Sequence, residues 1–150
     1  MAIKALEKGG KFDILSNVEI LHIEELKKTD EQKALDYERS EATRYYLRVP
    51  NSDEMATITN LMQPVRGNGT YTFPRIGEAR AYATLCCLVG WDNINNSDDG
   101  TPIAFKGRKG DDGRLIGSSV DDMAILPSSE KECILDAVIN ACNVAMRDFR

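Results

Sequence analysis

The sequence predicts an α+β fold that combines short N-terminal strands with three principal helices, the two C-terminal helices being packed together. Residues 43–49 place apolar side chains at alternate positions, which is typical of a half-buried strand. Residues 75–89 and 129–146 instead carry apolar side chains at the spacing of an amphipathic helix. A chain of 150 residues, of which 42% are apolar, suits one domain with a modest core. We therefore assign residues 1–150 to a single domain.

The N-terminal region predicts strands followed by a polar segment. Residues 3–15 indicate two short strands separated by the pair Gly9-Gly10. Apolar residues alternate again over residues 17–23, which favours an extension of the second strand. Residues 24–41 are mostly polar, and their few apolar side chains do not form a stripe. This segment is either a solvent-exposed helix or a mobile arm, and we favour a loop with helical character.

The centre of the chain gives the clearest strand and the first principal helix. The strand at residues 43–49 should turn positions 45, 47 and 49 towards the core. Asn51 and Glu54 have the spacing of a capping box, so a helix should begin near Ser52. We expect a flexible glycine-containing loop at residues 67–69 after this helix.

The C-terminal half predicts two helices joined by irregular structure. Residues 75–89 should form a helix with a broad buried face that ends at Gly90. Residues 91–105 resemble a loose hairpin or extended loop around an Asp-Gly turn. The glycines and aspartates of residues 106–122 predict a flexible loop, and the last helix should cover residues 129–146.

Charge and hydropathy restrict the classes of partner. The net charge of −5, from 19 basic and 24 acidic residues, gives no general attraction to phosphate, so we expect no nucleic-acid partner. No apolar run approaches the roughly 20 residues that cross a bilayer. Residues 1–7 lack the apolar core of a signal peptide. We therefore expect a protein of a cytosol-like compartment that has no membrane partner.

The residue types that hold metals or perform catalysis do not form a recognisable motif. The four cysteines are Cys86, Cys87, Cys133 and Cys142. They include no Cys-x-x-Cys pair, so we interpret them as buried, reduced thiols. Asp-Asp-Gly occurs twice, but neither register supplies the first Asp and the twelfth Glu of an EF-hand loop. With His22 as the one histidine, interpreted as a strand residue, and no nucleophile motif, we predict a non-enzymatic protein without a metal or cofactor.

Three short motifs follow one another in the C-terminal half. A Trp-Asp-Asn unit lies within residues 90–94, an Asp-Gly-x-Pro turn and an aromatic residue lie within residues 99–105, and a Leu-Pro pair at residues 126–127 precedes the last helix. Their order resembles that in the small tail assembly chaperones of long-tailed bacteriophages. The acidic middle and the Tyr-Tyr-Leu-Arg-Val-Pro strand at residues 45–50 are compatible with it, so the resemblance spans most of the chain.

The resemblance implies a bacteriophage tail assembly protein that acts by protein–protein binding in the host cytoplasm and catalyses no reaction. Members of this family coat or recruit the tape-measure protein and deliver it to tail tube subunits, which are the implied partners. The segment of residues 106–122 is longer than the family pattern leads us to expect. It leaves open a permanent virion component of the neck, tail or baseplate, including a homo-oligomeric ring. A small metal-dependent hydrolase with clustered carboxylates is the remaining alternative.

Five apolar residues are the candidates for partner binding, namely Trp91, Phe105, Met55, Met62 and Met146. Trp91 is either a core residue or a partner anchor, and a single tryptophan in a small domain more often packs in the core. We expect Trp91 and Phe105 near the junction of the two C-terminal helices. The methionines either give an adaptable surface to an apolar groove between these helices or fill gaps in the core.

Overall fold

The computed structural model describes residues 10–67, 70–72 and 74–147. Its elements are β1 (Lys11–Leu15), α1 (Asn17–Thr29), α2 (Glu31–Ser40), β2 (Arg44–Arg48), α3 (Ser52–Met62), β3 (Val65–Gly67), β4 (Thr70–Thr72), α4 (Ile76–Cys87), β5 (Leu88–Asp92), β6 (Arg108–Lys109), β7 (Leu115–Gly117), α5 (Val120–Ile125) and α6 (Ser128–Arg147). The predicted α+β class is confirmed, and α4 packs against α6 as expected. Within the described residues, no helix has both the length and the apolar character needed to cross a membrane.

A three-stranded antiparallel sheet with the order β1-β2-β5 forms one side of the core. The predicted central strand is confirmed as β2, where Tyr45 lies opposite Ile14 of β1 and Trp91 of β5. Tyr45 and Leu47 are buried, whereas Tyr46, on the other face of the strand, is exposed. The alternating sequence pattern therefore predicts correctly which face of β2 is buried in the core.

Residues 17–41 form two antiparallel helices, α1 and α2, so the predicted strand extension over residues 17–23 is wrong. Of the apolar residues that suggested a strand, Val18 and Leu21 are largely exposed, and none pairs with a neighbouring strand. A small separate core forms where Ile23 packs with Ala34 and Ala42. The prediction of a loop with helical character for residues 24–41 is also wrong. The alternative, a solvent-exposed helical structure, is what forms there.

The predicted capping box at the start of α3 is confirmed. The Asn51 side chain accepts the Glu54 backbone N–H at 2.8 Å, and the Glu54 carboxylate accepts the Asn51 backbone N–H at 3.0 Å. Arg48 of β2 also donates two hydrogen bonds of 2.7 Å to Glu54, which fixes α3 to the sheet. Part of the predicted loop at residues 67–69 lies in the β3–β4 hairpin, and residues 68 and 69 are outside the described residues, as is the first predicted strand.

Helix α4 ends at Cys87, three residues before the predicted stop at Gly90. Leu88 adopts extended backbone angles and begins β5, where it pairs with Leu47 of β2. The apolar run from Leu88 to Trp91 is compatible with a buried helix or a buried strand, so periodicity alone could not place this boundary. Pairing with β2 decides it in favour of the strand.

Residues 91–105 form the predicted hairpin. The Trp91 indole N–H donates to the Ile103 carbonyl at 2.8 Å, and an isolated bridge joins Asn95 to Pro102. Gly100 at the turn has a φ of +72°, a conformation that glycine adopts without strain. The loop expected at residues 106–122 is replaced by regular structure, because it contains the β6–β7 hairpin and the start of α5.

The buried Asp122 carboxylate organises residues 106–122. It accepts backbone N–H groups of Lys106, Gly107 and Ser119 at 3.0, 2.7 and 2.9 Å. The hairpin is also held against α4, because the Ser118 N–H donates to the Leu85 carbonyl at 3.0 Å. Except for the one from Ser119, these hydrogen bonds join atoms far apart in sequence, which is why the local composition suggested an irregular loop.

Helices α4 and α6 meet through small and branched side chains in the centre of the core. Ala79 and Ala83 of α4 and Ile134 and Val138 of α6 are all fully buried members of one apolar cluster. Small residues allow the helices to approach closely. The line between the helices is therefore core, and the exposed groove proposed there from the sequence is not formed by these side chains.

Replacing Trp91 by alanine should lower the free energy of unfolding by about 3–5 kcal/mol, because it removes a buried indole and leaves a cavity. Trp91 is 8% exposed and its ring meets Phe105 edge-on at 5.0 Å. Urea unfolding followed by far-UV circular dichroism measures the change. Ile116→Ala, at a position 37% exposed, is the control and should cost less than about 1 kcal/mol. Equal effects of the two substitutions would contradict a core role for Trp91.

Replacing Asp122 by asparagine should destabilise the protein by about 1–3 kcal/mol, because the amide nitrogen would face backbone N–H groups. Burial alone would raise the pKa of Asp122, but hydrogen bonds from Ser119, Lys106 and Gly107 outweigh it and lower the pKa below 3.8. The carboxylate therefore stabilises the fold above that ordinary pKa, and this contribution is lost as the pH falls through the folded-state pKa.

The measurement is the free energy of unfolding of wild type and Asp122→Asn between neutral and acidic pH. Wild type should lose more stability on acidification than the variant does. Asp121→Asn is the matched control, because Asp121 is the neighbouring residue and its carboxylate is exposed and contacts Lys106. An unchanged acid dependence in Asp122→Asn would show that this carboxylate is not the group responsible.

Candidate functional site

An open cavity of about 530 Å³ lies where the start of α1, strand β2, the 91–105 hairpin and the α5–α6 junction meet. Its lining residues are Ser16, Val18, Glu19, Thr43, Tyr45, Ile94, Asn95, Asn96, Ser97, Ile103, Ile125, Leu126, Pro127 and Glu130. The volume falls within the roughly 300–1,000 Å³ that ligand pockets occupy. These residues come from four separate parts of the sequence, so the cavity exists only in the folded chain.

The mouth of the cavity carries exposed apolar side chains. Val18 of α1 is 67% exposed and Ile125 at the end of α5 is 38% exposed, and both line the cavity. Leu21, three residues after Val18 and so on the same side of α1, is 66% exposed. We call Val18, Leu21 and Ile125 the apolar rim. Large apolar side chains in a group at a surface mark binding sites more often than single ones do.

Hydrogen bonds to the Glu130 carboxylate form the polar side of the cavity. The hydroxyl groups of Tyr45 and Ser16 donate to its two oxygens at 2.8 and 2.9 Å. Burial, followed by the charge of Glu130 and the hydrogen bond to it, raises the pKa of Tyr45 well above its ordinary value. Glu130 lies in the first turn of α6, where the helix dipole favours a negative charge.

Glu19 gives the cavity a second carboxylate. One of its oxygens is buried and has no hydrogen-bond partner among the described residues. Glu19 and Glu130 are the charged residues of the lining, which contains no lysine, arginine or histidine. This buried oxygen has almost no solvent-accessible surface, so it is not open to a ligand in the cavity.

The hairpin that supplies part of the cavity wall is fixed by Asn93. This residue has a φ of +60°, and its side chain donates to the carbonyls of Ser40 and Ala42 at 3.3 and 3.0 Å. The Thr43 hydroxyl donates back to the Asn93 carbonyl at 3.0 Å. These bonds hold the beginning of the hairpin beside β2 and place Ile94 at the cavity.

Of the five residues predicted for partner binding, Trp91, Phe105, Met55 and Met62 do not line this cavity. Trp91 is buried and packs on Phe105, so its core interpretation is confirmed. Phe105, Met55 and Met62 are partly buried against the same core. The side chain of Met146 lies outside the described residues. The sequence did not indicate that Glu19, Tyr45 and Glu130 belong to one site, because no local pattern shows that they converge.

The cysteines lack the surroundings that activate a thiol. All four are free and buried. Burial raises the pKa of Cys86, Cys133 and Cys142, which keeps these thiols protonated near neutral pH. His22, expected in a strand, lies in α1 with its ring edge-on to Tyr37 at 4.7 Å. In the part of the chain that the structure describes, no three His, Cys, Asp or Glu side chains are grouped to hold a metal ion.

No family model, curated protein or solved structure matches this chain. The cavity and its apolar rim are the features of the fold that bear on function.

Replacing Tyr45 by phenylalanine should make the protein less sensitive to alkali. Because the folded-state pKa of Tyr45 is raised, its contribution to stability is complete below the ordinary value of 10.0 and is lost as the pH rises further. Wild type should therefore lose stability above this pH more steeply than Tyr45→Phe. Tyr46→Phe, which removes an exposed hydroxyl from the opposite face of β2, should change the slope less. Urea unfolding across the alkaline range measures these slopes, and identical slopes for wild type and Tyr45→Phe would exclude the mechanism.

Proposed function

We propose that this protein is a bacteriophage tail assembly factor that binds other tail proteins at the apolar rim and cavity and catalyses no reaction. One observation carries the proposal. The three motifs on which the resemblance to tail assembly chaperones rests supply Ile94, Ile103, Leu126 and Pro127, which form one wall of the cavity. The Leu-Pro motif is separated from the other two by residues 106–125, yet all three contribute to the lining of the same cavity.

The character of this surface supports protein binding. When a partner covers an apolar side chain that was in contact with water, the free energy falls by about 25 cal/mol per Å² of apolar surface buried. The apolar rim holds three such side chains around a concave site. A helix with one apolar face fits a site of this kind, with its side chains entering the cavity.

A tape-measure protein is the partner that this chemistry suits best. It is a long helical chain that must stay soluble until tube subunits surround it. Covering its apolar face in the host cytoplasm would prevent aggregation, and the rim and cavity offer a surface for that contact. Tube subunits, to which the family delivers the tape-measure protein, are the second class of partner.

A permanent virion component is the alternative, and one observation favours it. Residues 106–122, the segment that departs from the family pattern, contain an ordered hairpin and the start of α5, held by the buried Asp122. An additional ordered unit suits a protein that keeps fixed neighbours in a ring.

Co-expression with the tape-measure protein of the same phage tests the proposal. We expect the soluble fraction of the tape-measure protein to rise several-fold with the wild-type chain. The double variant Val18→Asp/Leu21→Asp should lose this effect, because it puts charge on the apolar rim. Val120→Asp is the matched control, since Val120 is 70% exposed in the first turn of α5 and does not line the cavity.

Three results would count against the proposal. Unchanged aggregation of the tape-measure protein would contradict chaperoning. Recovery of this chain at stoichiometric level from purified particles, by mass spectrometry, would support the virion component in its place. Stoichiometric binding of a divalent metal would instead favour the hydrolase alternative.

A further inference from the structure

We infer that helices α1 and α2 rotate as one unit about the ends of β1 and β2, and that this rotation changes the width of the cavity. We call the two helices, which cover residues 17–40, the helical hairpin, and the sheet with helices α3 to α6 the body. The inference concerns the regulation of the binding surface, and its consequence for a partner rests on the proposed function.

The helical hairpin has an apolar core of its own. Ile23 of α1 packs with Ala34 of α2 and with Ala42 directly after it, and Leu26 and Tyr37 pack against them. Among the described residues, the main apolar cluster around α4 and α6 includes no side chain of α1 or α2, and these two helices pack chiefly on each other. Local motions of a domain follow contiguous units of this kind. The helical hairpin can therefore change its position without breaking either core.

Both connections between the helical hairpin and the body lie at one end of the sheet. Strand β1 ends at Leu15 and β2 begins at Arg44, and these two residues lie opposite each other. Directly before α1 begins, the Ser16 N–H donates to the Thr43 carbonyl at 3.1 Å. Hinge motions are absorbed by a few residues at the ends of elements, so two adjacent connections of this kind define one hinge axis.

The cavity is lined by both parts of the molecule. Val18 and Glu19 of the lining belong to α1, whereas Ile103 and Ile125 belong to the body. The apolar rim is divided in the same way, because Val18 and Leu21 lie on α1 and Ile125 lies on α5. A rotation of the helical hairpin moves the first two side chains relative to the third. It therefore changes the width of the cavity and the shape of the rim together.

Polar contacts at both ends of the helical hairpin hold it in the observed position. At its start, the Ser16 hydroxyl donates to the Glu130 carboxylate of α6 at 2.9 Å. At its end, the Asn93 side chain donates to the carbonyls of Ser40 and Ala42 at 3.3 and 3.0 Å. Water replaces such hydrogen bonds when they open, so each one contributes only modestly to the free energy. The observed position is therefore favoured, and an open position remains accessible.

A partner that covers the whole apolar rim would hold the helical hairpin in the observed position. Only in this position do Val18 and Leu21 stand around the same concave site as Ile125. A ligand shifts the equilibrium towards the conformation with which it interacts more favourably. We therefore expect a bound partner to suppress the rotation.

Relaxation-dispersion NMR of isoleucine methyl groups tests the rotation on the μs–ms timescale. Ile94, Ile103 and Ile125 line the cavity, so their methyl signals should show exchange at one common rate. Ile23, which packs in the core of the helical hairpin, and Ile134, which is fully buried in the body, should show none. Exchange at Ile23 as well would indicate local unfolding and overturn rotation as one unit. Absence of exchange at the cavity residues would overturn the inference outright.

Replacing Ser16 by alanine should raise the population of the open position at least about fivefold, which corresponds to the loss of one hydrogen bond. The Ser16 hydroxyl makes no capping hydrogen bond to α1, so the substitution removes the contact with Glu130 and keeps the hydrogen bonds of the helix. Ser40→Ala is the matched control, because the Ser40 hydroxyl donates to the Asp36 carbonyl within α2 at 2.7 Å. This control should leave the population unchanged. Equal populations in wild type and Ser16→Ala would contradict the inference, and the wild-type measurement decides it if the variant does not fold.

The complex with the tape-measure protein, recovered by co-expression, separates this inference from the proposed function. In the complex, the exchange of the cavity methyl groups should disappear. Exchange in the free protein without rescue of the tape-measure protein would support the rotation and refute the proposed function. Rescue without exchange in the free protein would leave the proposed function intact and refute the rotation alone. Exchange that persists in the complex would refute the suppression of the rotation by a partner.

Discussion

The Glu130 carboxylate connects the elements on which the rest of the molecule depends. It accepts hydrogen bonds from Tyr45, at the centre of the sheet, and from Ser16, immediately before α1, while its own backbone lies in the first turn of α6. Tyr45 can reach it only because the strand is held in register between β1 and β5. The sheet, the helical hairpin and the C-terminal helix are therefore fixed by one partly buried polar cluster, and the same atoms form the polar side of the cavity. A fully satisfied cluster of this kind adds specificity as well as stability.

The elements that could be predicted from the sequence are those with a strong local signal. Strand β2 alternates cleanly, and α3 begins at a capping box whose two hydrogen bonds are both present. The elements that could not be predicted depend on distant partners. Val18 and its neighbours alternate as a strand would, but no strand lies beside them, and Ile23 reaches Ala34 and Ala42 only when the chain is helical. The boundary between α4 and β5 is likewise set by pairing with β2, which no window around Leu88 contains.

The candidate site was less predictable than the fold, for a related reason. The apolar candidates were chosen by residue type, and bulky apolar side chains such as Trp91 are usually buried in the core. The chemistry of the cavity comes instead from polar residues of ordinary appearance. Ser16 and Glu130 are 114 positions apart, and nothing near either residue indicates that they meet. Order along the chain could indicate that the motifs belong together, but only the folded structure shows which surface they build.

The motifs also shape that surface indirectly, through residues that do not line it. Trp91 and Asn93 hold the hairpin, and the hairpin then presents Ile94 and Ile103 to the cavity. Asp122 fixes the first turn of α5 to the 106–122 segment, and this short helix ends at Ile125 on the rim. In the proposed function stability and binding are coupled, because a change at a buried anchor would displace a side chain at the mouth of the cavity. Buried residues such as Trp91 and Asp122 therefore help to determine the shape of the cavity mouth.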